Sequence, residues 1–161
     1  MVGYTDASFQ TDKDDSRSQS GFVFLLNGGA VSWRSSKQET VADSTTEAEY
    51  IAASAAAKEA VWMKKFIKDL GVVPTINSPM EIFCDNEGAV ALAQEPRSHK
   101  RSKHILRKYH YIREIVASGE VTISRVHTDA NLADPFTKPL TQTKHDAHAK
   151  SIGLRFDMPM A

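Results

Sequence analysis

The stretch MEIFCDNEGAVALAQ, residues 80–94, carries the strongest local signal for the fold class. Residues 80–84 are mostly apolar and of strand length, whereas residues 86–93 are rich in alanine, a strong helix former. The stretch therefore predicts a buried strand that leads directly into a short helix. Asp85 stands at the junction, which is where open α/β sheets place ligands, although it could also simply cap the helix.

Three strands are predicted before this unit and one after it. Residues 2–9 and 121–126 alternate between apolar and polar side chains, as half-buried strands do. The apolar run 21–26 and residues 30–35 flank the tight-turn signal Asn-Gly-Gly at 27–29, which predicts a hairpin. The sequence thus predicts five strands in total.

A long helix is predicted from the start signal at Ser44, which has Glu47 three residues later as a capping box requires. The helix is expected to run to about Leu70 and to end at Gly71. Five apolar residues recur at helical spacing and are expected to face the sheet: Ile51, Ala55, Trp62, Phe66 and Leu70.

Further helices are predicted over about 103–118, over 144–152, and after a loop that begins at Asn131. Strands that first form a hairpin and then alternate with helices indicate an α/β fold with a mixed sheet. At 161 residues a single domain is expected over 1–161, with a core at about 2–140 and a C-terminal tail at 141–161. The apolar stripe of the helix over 103–118 comprises Ile105, Tyr109, Ile112 and Val116.

Composition argues against several classes of protein. The apolar fraction of 41% is enough for a packed core, and no apolar run approaches the roughly 20 residues that cross a bilayer. Cys84 is the only cysteine, so no internal disulfide can form, and no secretion signal opens the chain. We therefore expect an intracellular protein that does not bind a membrane.

The net charge is zero, but the charges are unevenly distributed. Between residues 96 and 113 the chain has no acid and seven basic residues: Arg97, Lys100, Arg101, Lys103, Arg107, Lys108 and Arg113. This segment is either a basic face for a phosphate backbone or an ordinary solvated helix face. The sequence leaves both interpretations open.

Four acids at expected strand ends and helix starts are candidates for a shared metal site: Asp6, Glu49, Asp85 and Asp134. Carboxylate oxygens are ligands that Mg²⁺ prefers, and two such ions about 3.5–4 Å apart can hydrolyse a phosphodiester. Glu47 is a rival to Glu49 and Asp129 is a rival to Asp134, because each lies close to its neighbour in the sequence. Residue type alone does not choose between the members of each pair.

Several short segments follow one another in a distinctive order along the chain. They include YTDA at 4–7, VSW at 31–33, STTEAEY at 44–50, CDN at 84–86 and ADPFTKPL at 133–140. Together they resemble the ribonuclease H domain of Copia-type LTR retrotransposon Pol polyproteins. The resemblance extends over nearly the whole chain, with one departure at Asp43, where this family more often has an apolar residue.

The resemblance implies a ribonuclease H-like fold, with a five-stranded mixed sheet flanked by helices. It implies hydrolysis of the RNA strand of RNA–DNA hybrids during reverse transcription, using two Mg²⁺ ions or Mn²⁺ and leaving 5′-phosphate and 3′-hydroxyl ends. The implied partners are the RNA–DNA hybrid and the reverse transcriptase polymerase domain of the same polyprotein, in the cytoplasm within virus-like particles. The chain would then be a fragment of such a polyprotein or a domesticated descendant.

Carried over residue by residue, the resemblance assigns the metal ligands to Asp6, Glu49, Asp85 and Asp134. It thereby selects Glu49 over Glu47 and Asp134 over Asp129. His127, seven residues before Asp134, corresponds to a loop histidine that assists product release or proton transfer in related ribonucleases H. A plain surface role for His127 is equally open.

Polar residues beside the acids are candidates for reading the 2′-hydroxyls that distinguish a hybrid from DNA: Gln38, Ser44, Thr45, Thr46 and Asn86. Two of them, Ser44 and Asn86, also have expected capping roles. The candidates for binding phosphates of the DNA strand are Lys100, Arg101, Lys103 and Lys108.

Two other functions remain open from the sequence. An inert, domesticated module of this fold would bind a hybrid or a protein partner without cutting. An integrase or resolvase core of the same fold superfamily would cut duplex DNA instead. The presence of all four acids favours the active ribonuclease.

Overall fold

The computed structural model describes residues 1–73, 76–95, 105 and 107–155. Five strands form one sheet in the order β3-β2-β1-β4-β5. The strands are β1 (Val2–Ser8), β2 (Gln19–Leu26), β3 (Gly29–Lys37), β4 (Met80–Cys84) and β5 (Val121–Arg125). Strands β1, β2 and β3 pair antiparallel, whereas β1, β4 and β5 pair parallel. The predicted mixed five-stranded sheet is confirmed.

Within the described residues, four α-helices flank or follow the strands: α1 (Thr45–Leu70), α2 (Glu87–Gln94), α3 (Tyr111–Ala117) and α4 (Gln142–Ser151). Helix α1 begins where the capping signal predicted, because the Ser44 hydroxyl accepts the Glu47 N–H at 3.1 Å. The Glu47 carboxylate in turn accepts the Asp43 N–H at 2.9 Å. The helix ends at Gly71, which adopts a left-handed φ of 67°.

The prediction that Trp62, Phe66 and Leu70 face the sheet is wrong. Trp62 is 58% exposed, and it stacks on Phe66 with ring centroids 5.3 Å apart on the outer side of α1. The buried face of α1 is instead built largely from small residues, which let the helix lie close to the sheet. Its apolar members include Ala48, Ala52, Ala53, Ala56, Ala57, Ala60, Met63 and Ile67, together with Tyr50 and Ile51.

The core lies between the sheet and the helices α1, α2 and α3. It contains Phe22, Phe24, Tyr50, Ile82 and Ile112, all of which are buried. The ring of Phe24 crosses β1 at Gly3, where an added Cβ would lie 2.4 Å from the ring. Close packing at this point therefore requires glycine.

Element boundaries differ from the predictions in the second half of the chain. The helix predicted over about 103–118 is an α-helix only from Tyr111, preceded by a 3₁₀ turn at Arg107–Tyr109, and residues 103, 104 and 106 lie outside the described residues. The helix predicted after Asn131 is wrong, because only 3₁₀ turns form at Thr128–Ala130 and Asp134–Phe136. In the described part of the chain, no helix is both long enough and apolar enough to cross a membrane.

Candidate active site

The parallel pairing of β1 and β4 brings two of the predicted acids together. Thr5 of β1 is in register with Cys84 of β4, so Asp6 and Asp85, one residue further along, lie at the same place in the sheet. Glu49 reaches them from the second turn of α1, where its Oε1 accepts the Ala7 N–H at 3.1 Å. Three of the four candidate acids therefore come from separate elements to one end of the sheet.

The fourth acid, Asp134, is positioned by a contact between residues 126 positions apart. The buried Asn131 side chain donates to the Thr5 carbonyl at 2.9 Å and accepts the Ala133 N–H at 3.2 Å. These bonds hold the 3₁₀ turn that begins at Asp134 against β1. On the other side the turn packs on Gly21, where an added Cβ would lie 2.7 Å from Phe136.

Carboxylate oxygens of the four acids gather into two overlapping groups. The oxygens of Asp6, Asp85 and Asp134 lie within 4.8 Å of one another. One oxygen each of Glu49 and Asp85, with the Cys84 sulfur, forms a second group within the same 4.8 Å limit. Asp85 belongs to both groups, so one of its oxygens lies within 4.8 Å of an oxygen of Glu49, and one lies within the same distance of oxygens of Asp6 and Asp134.

Burial and mutual repulsion destabilise the ionised forms of the carboxyl groups at this site. Burial, followed by the charges of Asp6 and Asp85, raises the pKa of Glu49 to about 9. Burial also raises the pKa of Asp6 to about 6, with Asp134 and Asp85 adding to the rise and Thr137 and Lys138 opposing it. The site therefore favours additional positive charge.

The chemistry of the donors fits a hard divalent cation. Clustered carboxylate oxygens are the ligands that Mg²⁺ takes, and a cation would offset both the burial and the mutual repulsion that raise the pKa values of Asp6 and Glu49. Cys84 is less suitable as a ligand, because burial and then the Glu49 charge raise the pKa of its thiol. Its sulfur lies 3.8 Å from Glu49 Oε2, where the thiol can donate a weak hydrogen bond.

Two residues of the site were missed by the sequence analysis. The Thr137 hydroxyl donates to Asp6 Oδ2, and Lys138 Nζ lies 3.0 Å from Asp134 Oδ1 and 3.7 Å from Asp6 Oδ2. The sequence feature that could have identified Lys138 is its position four residues after Asp134, a spacing that allows an ion pair within a helical turn.

The rival acids have other roles. Glu47 is engaged in capping α1, which leaves Glu49 as the acid directed into the site. Asp129 is exposed and pairs with Lys144 at 2.7 Å. Among the described residues, neither acidic group includes Asp129 or His127. The His127 side chain is 79% exposed, and its Nδ1 accepts the Asp129 N–H at 3.3 Å.

Four of the candidate hybrid contacts lie where α1 and α2 begin. Ser44 and Thr45 are exposed, and the Thr46 hydroxyl is 3.4 Å from Asn86 Oδ1. Asn86 also caps α2 by accepting the Ala89 N–H at 2.9 Å. These residues adjoin Glu49 and Asp85 in the sequence and are at least partly accessible.

The remaining candidate hybrid contacts are Gln38 and four basic residues. Gln38, one of the predicted hybrid contacts, is 4% exposed, and its amide nitrogen donates to Ser20 Oγ and to the Ala48 carbonyl. Lys108 is accessible but forms an ion pair with Glu39 at 2.6 Å. The remaining basic candidates, Lys100, Arg101 and Lys103, lie outside the described residues.

Comparison with known sequences finds similar retrotransposon polyproteins, whereas no family model matches the chain. The Pol polyprotein of the tobacco (Nicotiana tabacum) transposon TNT 1-94 is 39% identical over 154 residues, which are 96% of this chain and 11% of that polyprotein. The Pol polyprotein of transposon RE1 from Arabidopsis thaliana is 40% identical over 154 residues, again 96% of this chain but 10% of the polyprotein. The chain thus spans about a tenth of these relatives.

Solved structures share the fold at low sequence identity. RNase H1 from Halobacterium salinarum superposes with a TM-score of 0.55 and 19% identity, covering 84% of this chain and 92% of that one. LC11-RNase H1, solved in complex with an RNA/DNA hybrid, gives a TM-score of 0.57 and 16% identity over 84% of this chain and 92% of that one. The chain therefore has a ribonuclease H fold, and over 96% of its length it is similar in sequence to part of retrotransposon Pol polyproteins.

Proposed function

We propose that this chain is a metal-dependent endoribonuclease that hydrolyses the RNA strand of RNA–DNA hybrids during reverse transcription of a Copia-type retrotransposon. The observation that carries the proposal is the convergence of Asp6, Glu49, Asp85 and Asp134, with Asp85 in both groups of oxygens. Retrotransposon relatives support the biological setting, and the hybrid-bound ribonuclease H1 of the same fold supports the substrate class.

In this proposal each acid has a defined part. Asp6, Asp85 and Asp134 would hold one Mg²⁺, while Glu49 and Asp85 would hold a second. When bound, such a pair of ions activates the attacking water and neutralises charge on the leaving 3′ oxygen. Ser44, Thr45, Thr46 and Asn86, next to the acids, are in reach of the 2′-hydroxyls of an RNA strand lying over the site.

The similarity to retrotransposon polyproteins also supports a proposal about the longer protein that contains this chain and about where it acts. We infer that residues 1–161 act as one domain joined to the polymerase domain of a longer polyprotein, in the cytoplasm and within virus-like particles. Lys100, Arg101, Lys103 and Lys108 are proposed to hold the DNA strand through its phosphates. His127, accessible in the loop after β5, is proposed to assist product release.

A strand-specific cutting assay tests the proposal. The protein is incubated with an RNA–DNA hybrid labelled on either strand, in roughly 5 mM Mg²⁺ or Mn²⁺, where weak carboxylate sites are expected to fill. We expect cutting of the RNA strand alone, with 5′-phosphate and 3′-hydroxyl ends and no activity in EDTA. Binding of the hybrid without cutting would instead support an inert module, and cutting of duplex DNA would support an integrase-like or resolvase-like core.

The choice between Asp134 and Asp129 gives a matched pair of variants. Asp134→Asn is expected to reduce RNA-strand cutting on the order of 10²-fold, because it removes one ligand from the group shared with Asp6 and Asp85. Asp129→Asn removes an exposed acid whose partner, Lys144, lies outside both acidic groups. The cutting rate of this variant should therefore remain within about twofold of the wild-type rate. Initial rates under single-turnover conditions would measure both, and the reverse order of effects would assign the metal site to Asp129.

A further inference from the structure

We propose that the Lys138 ammonium is an internal counter-ion of the metal-free site and that it must leave before the metal binds. Lys138 Nζ lies 3.0 Å from Asp134 Oδ1 and 3.7 Å from Asp6 Oδ2, so it bridges two of the acids assigned to one ion. The inference rests on the proposed function, because it concerns the metal that the acids are proposed to hold.

The location of this ammonium places it in competition with a metal ion. Asp6 and Asp134 are almost completely buried, so the two carboxylates have few other ways to balance their charge. An ion held by Asp6, Asp85 and Asp134 would lie within a few Å of Lys138 Nζ, and two cations at that distance repel each other. Lys138 and the ion therefore exclude each other from the same oxygens.

The Lys138 side chain can move away from the site without displacing the acids. Its side chain is 32% exposed and ends a flexible four-carbon stem, so the ammonium can move into water by rotation about side-chain bonds. The turn that carries it stays in place, because Asn131 bonds to Thr5 and the Thr137 hydroxyl bonds to Asp6. Release of Lys138 therefore opens the site while Asp134 keeps its position.

A second lysine–aspartate pair provides an internal reference. Lys144 Nζ lies 2.7 Å from Asp129 Oδ1 on the surface, with the two side chains 59% and 67% exposed. This pair resembles the one between Lys138 and Asp134 in chemistry but lies outside both acidic groups. Lys144 senses the charges of Asp134 and Lys138 less strongly than that of its partner Asp129, so metal binding should change the environment of Lys138 much more than that of Lys144.

Amine labelling of the wild-type protein tests the release directly. The protein, without nucleic acid, is acetylated with a limiting amount of an amine-reactive ester in EDTA or in Mg²⁺, and each lysine is quantified by mass spectrometry. We expect Mg²⁺ to increase labelling of Lys138 several-fold, because the ammonium exchanges its carboxylate partners for water, whereas labelling of Lys144 should change much less. Equal or reduced labelling of Lys138 in Mg²⁺ would overturn the proposal.

Substitution tests the competition by metal affinity. Lys138→Met keeps the length of the stem and removes the charge, and Lys144→Met is its matched control. We expect Lys138→Met to bind Mn²⁺ about tenfold more tightly, measured by the electron paramagnetic resonance signal of the free ion, because a repelling charge is gone. In EDTA the same variant should melt about 2–4 °C lower than wild type, since the buried acids lose their counter-ion.

The outcomes separate this inference from the proposed function. A lysine with a purely structural role would give weaker Mn²⁺ binding when replaced, so unchanged or weaker binding by Lys138→Met overturns the competition while leaving the nuclease proposal intact. Absence of Mn²⁺ binding in wild type and in both variants would overturn the metal site itself, and the inference with it. Lys144→Met is expected to match wild type in both affinity and melting temperature.

Discussion

Replacing Asp85 by Asn is expected to reduce RNA-strand cutting by about 10³-fold or more, the largest loss of activity for any single acid of the site. Asp85 is the only one of the four acids in both groups of oxygens, so its loss weakens both proposed ions. Loss of several kcal/mol of electrostatic stabilisation corresponds to a rate decrease of this size. Cutting is measured under single-turnover conditions, and hybrid binding is measured separately in EDTA by fluorescence anisotropy.

The Asp85 variant should remain folded and should bind hybrid within about twofold of wild type. The charge of Asp85 contributes to the raised pKa values of Asp6 and Glu49, so its removal relieves repulsion in the metal-free protein. Glu87→Gln is the matched control, because Glu87 is an exposed acid two residues away whose partner, Arg125, lies outside the site at 3.5 Å. A variant of Asp85 that cuts within tenfold of wild type would remove this residue from the catalytic centre.

Local signals in the sequence were sufficient to locate most of the acids. An apolar run followed by Asp85 and Asn86 predicted a strand, a junction and a capped helix, and the structure has β4 and α2 there. Capping also explains why Glu49, rather than Glu47, is directed into the site. The Glu47 carboxylate accepts a backbone N–H at the start of α1, whereas the Glu49 carboxylate accepts the Ala7 N–H of β1 beside the other acids.

Features that depend on packing between distant segments were not predictable in the same way. Helical spacing suggested that Trp62 and Phe66 face the sheet, but the alternative face of alanines satisfies the same period and allows a closer approach. The position of Lys138 depends on the bond from Asn131 to Thr5, which closes 126 residues of chain. No local pattern encodes such a contact, and the burial of Gln38 was missed for the same reason.

Replacing Glu49 by Gln is expected to stabilise the metal-free protein at pH 8 by roughly 3–5 kcal/mol while strongly reducing cutting. Burial raises the pKa of Glu49 to about 9 in the folded protein, far above the ordinary value of 4.5 in the unfolded chain. Between these two values the folded state holds a proton that the unfolded state has lost, so the contribution of Glu49 to stability falls as the pH rises from about 4.5 to about 9. Gln is neutral at every pH, and its amide oxygen can still accept the Ala7 N–H, so the variant avoids this penalty.

Urea unfolding in EDTA at pH 5.5 and pH 8 measures the effect. Wild type should be less stable at pH 8 than at pH 5.5, with Asp6 adding to the difference because its pKa is raised to about 6, whereas Glu49→Gln should show a smaller difference. Glu47→Gln is the control with the opposite sign, since it weakens a charged cap at the start of α1 and should lower stability by about 0.5–1 kcal/mol. Equal stability of wild type and Glu49→Gln at pH 8 would contradict a raised pKa for Glu49. An increase in stability at the expense of cutting would mean that this buried carboxylate is retained for binding metal, because the fold alone is more stable without its charge.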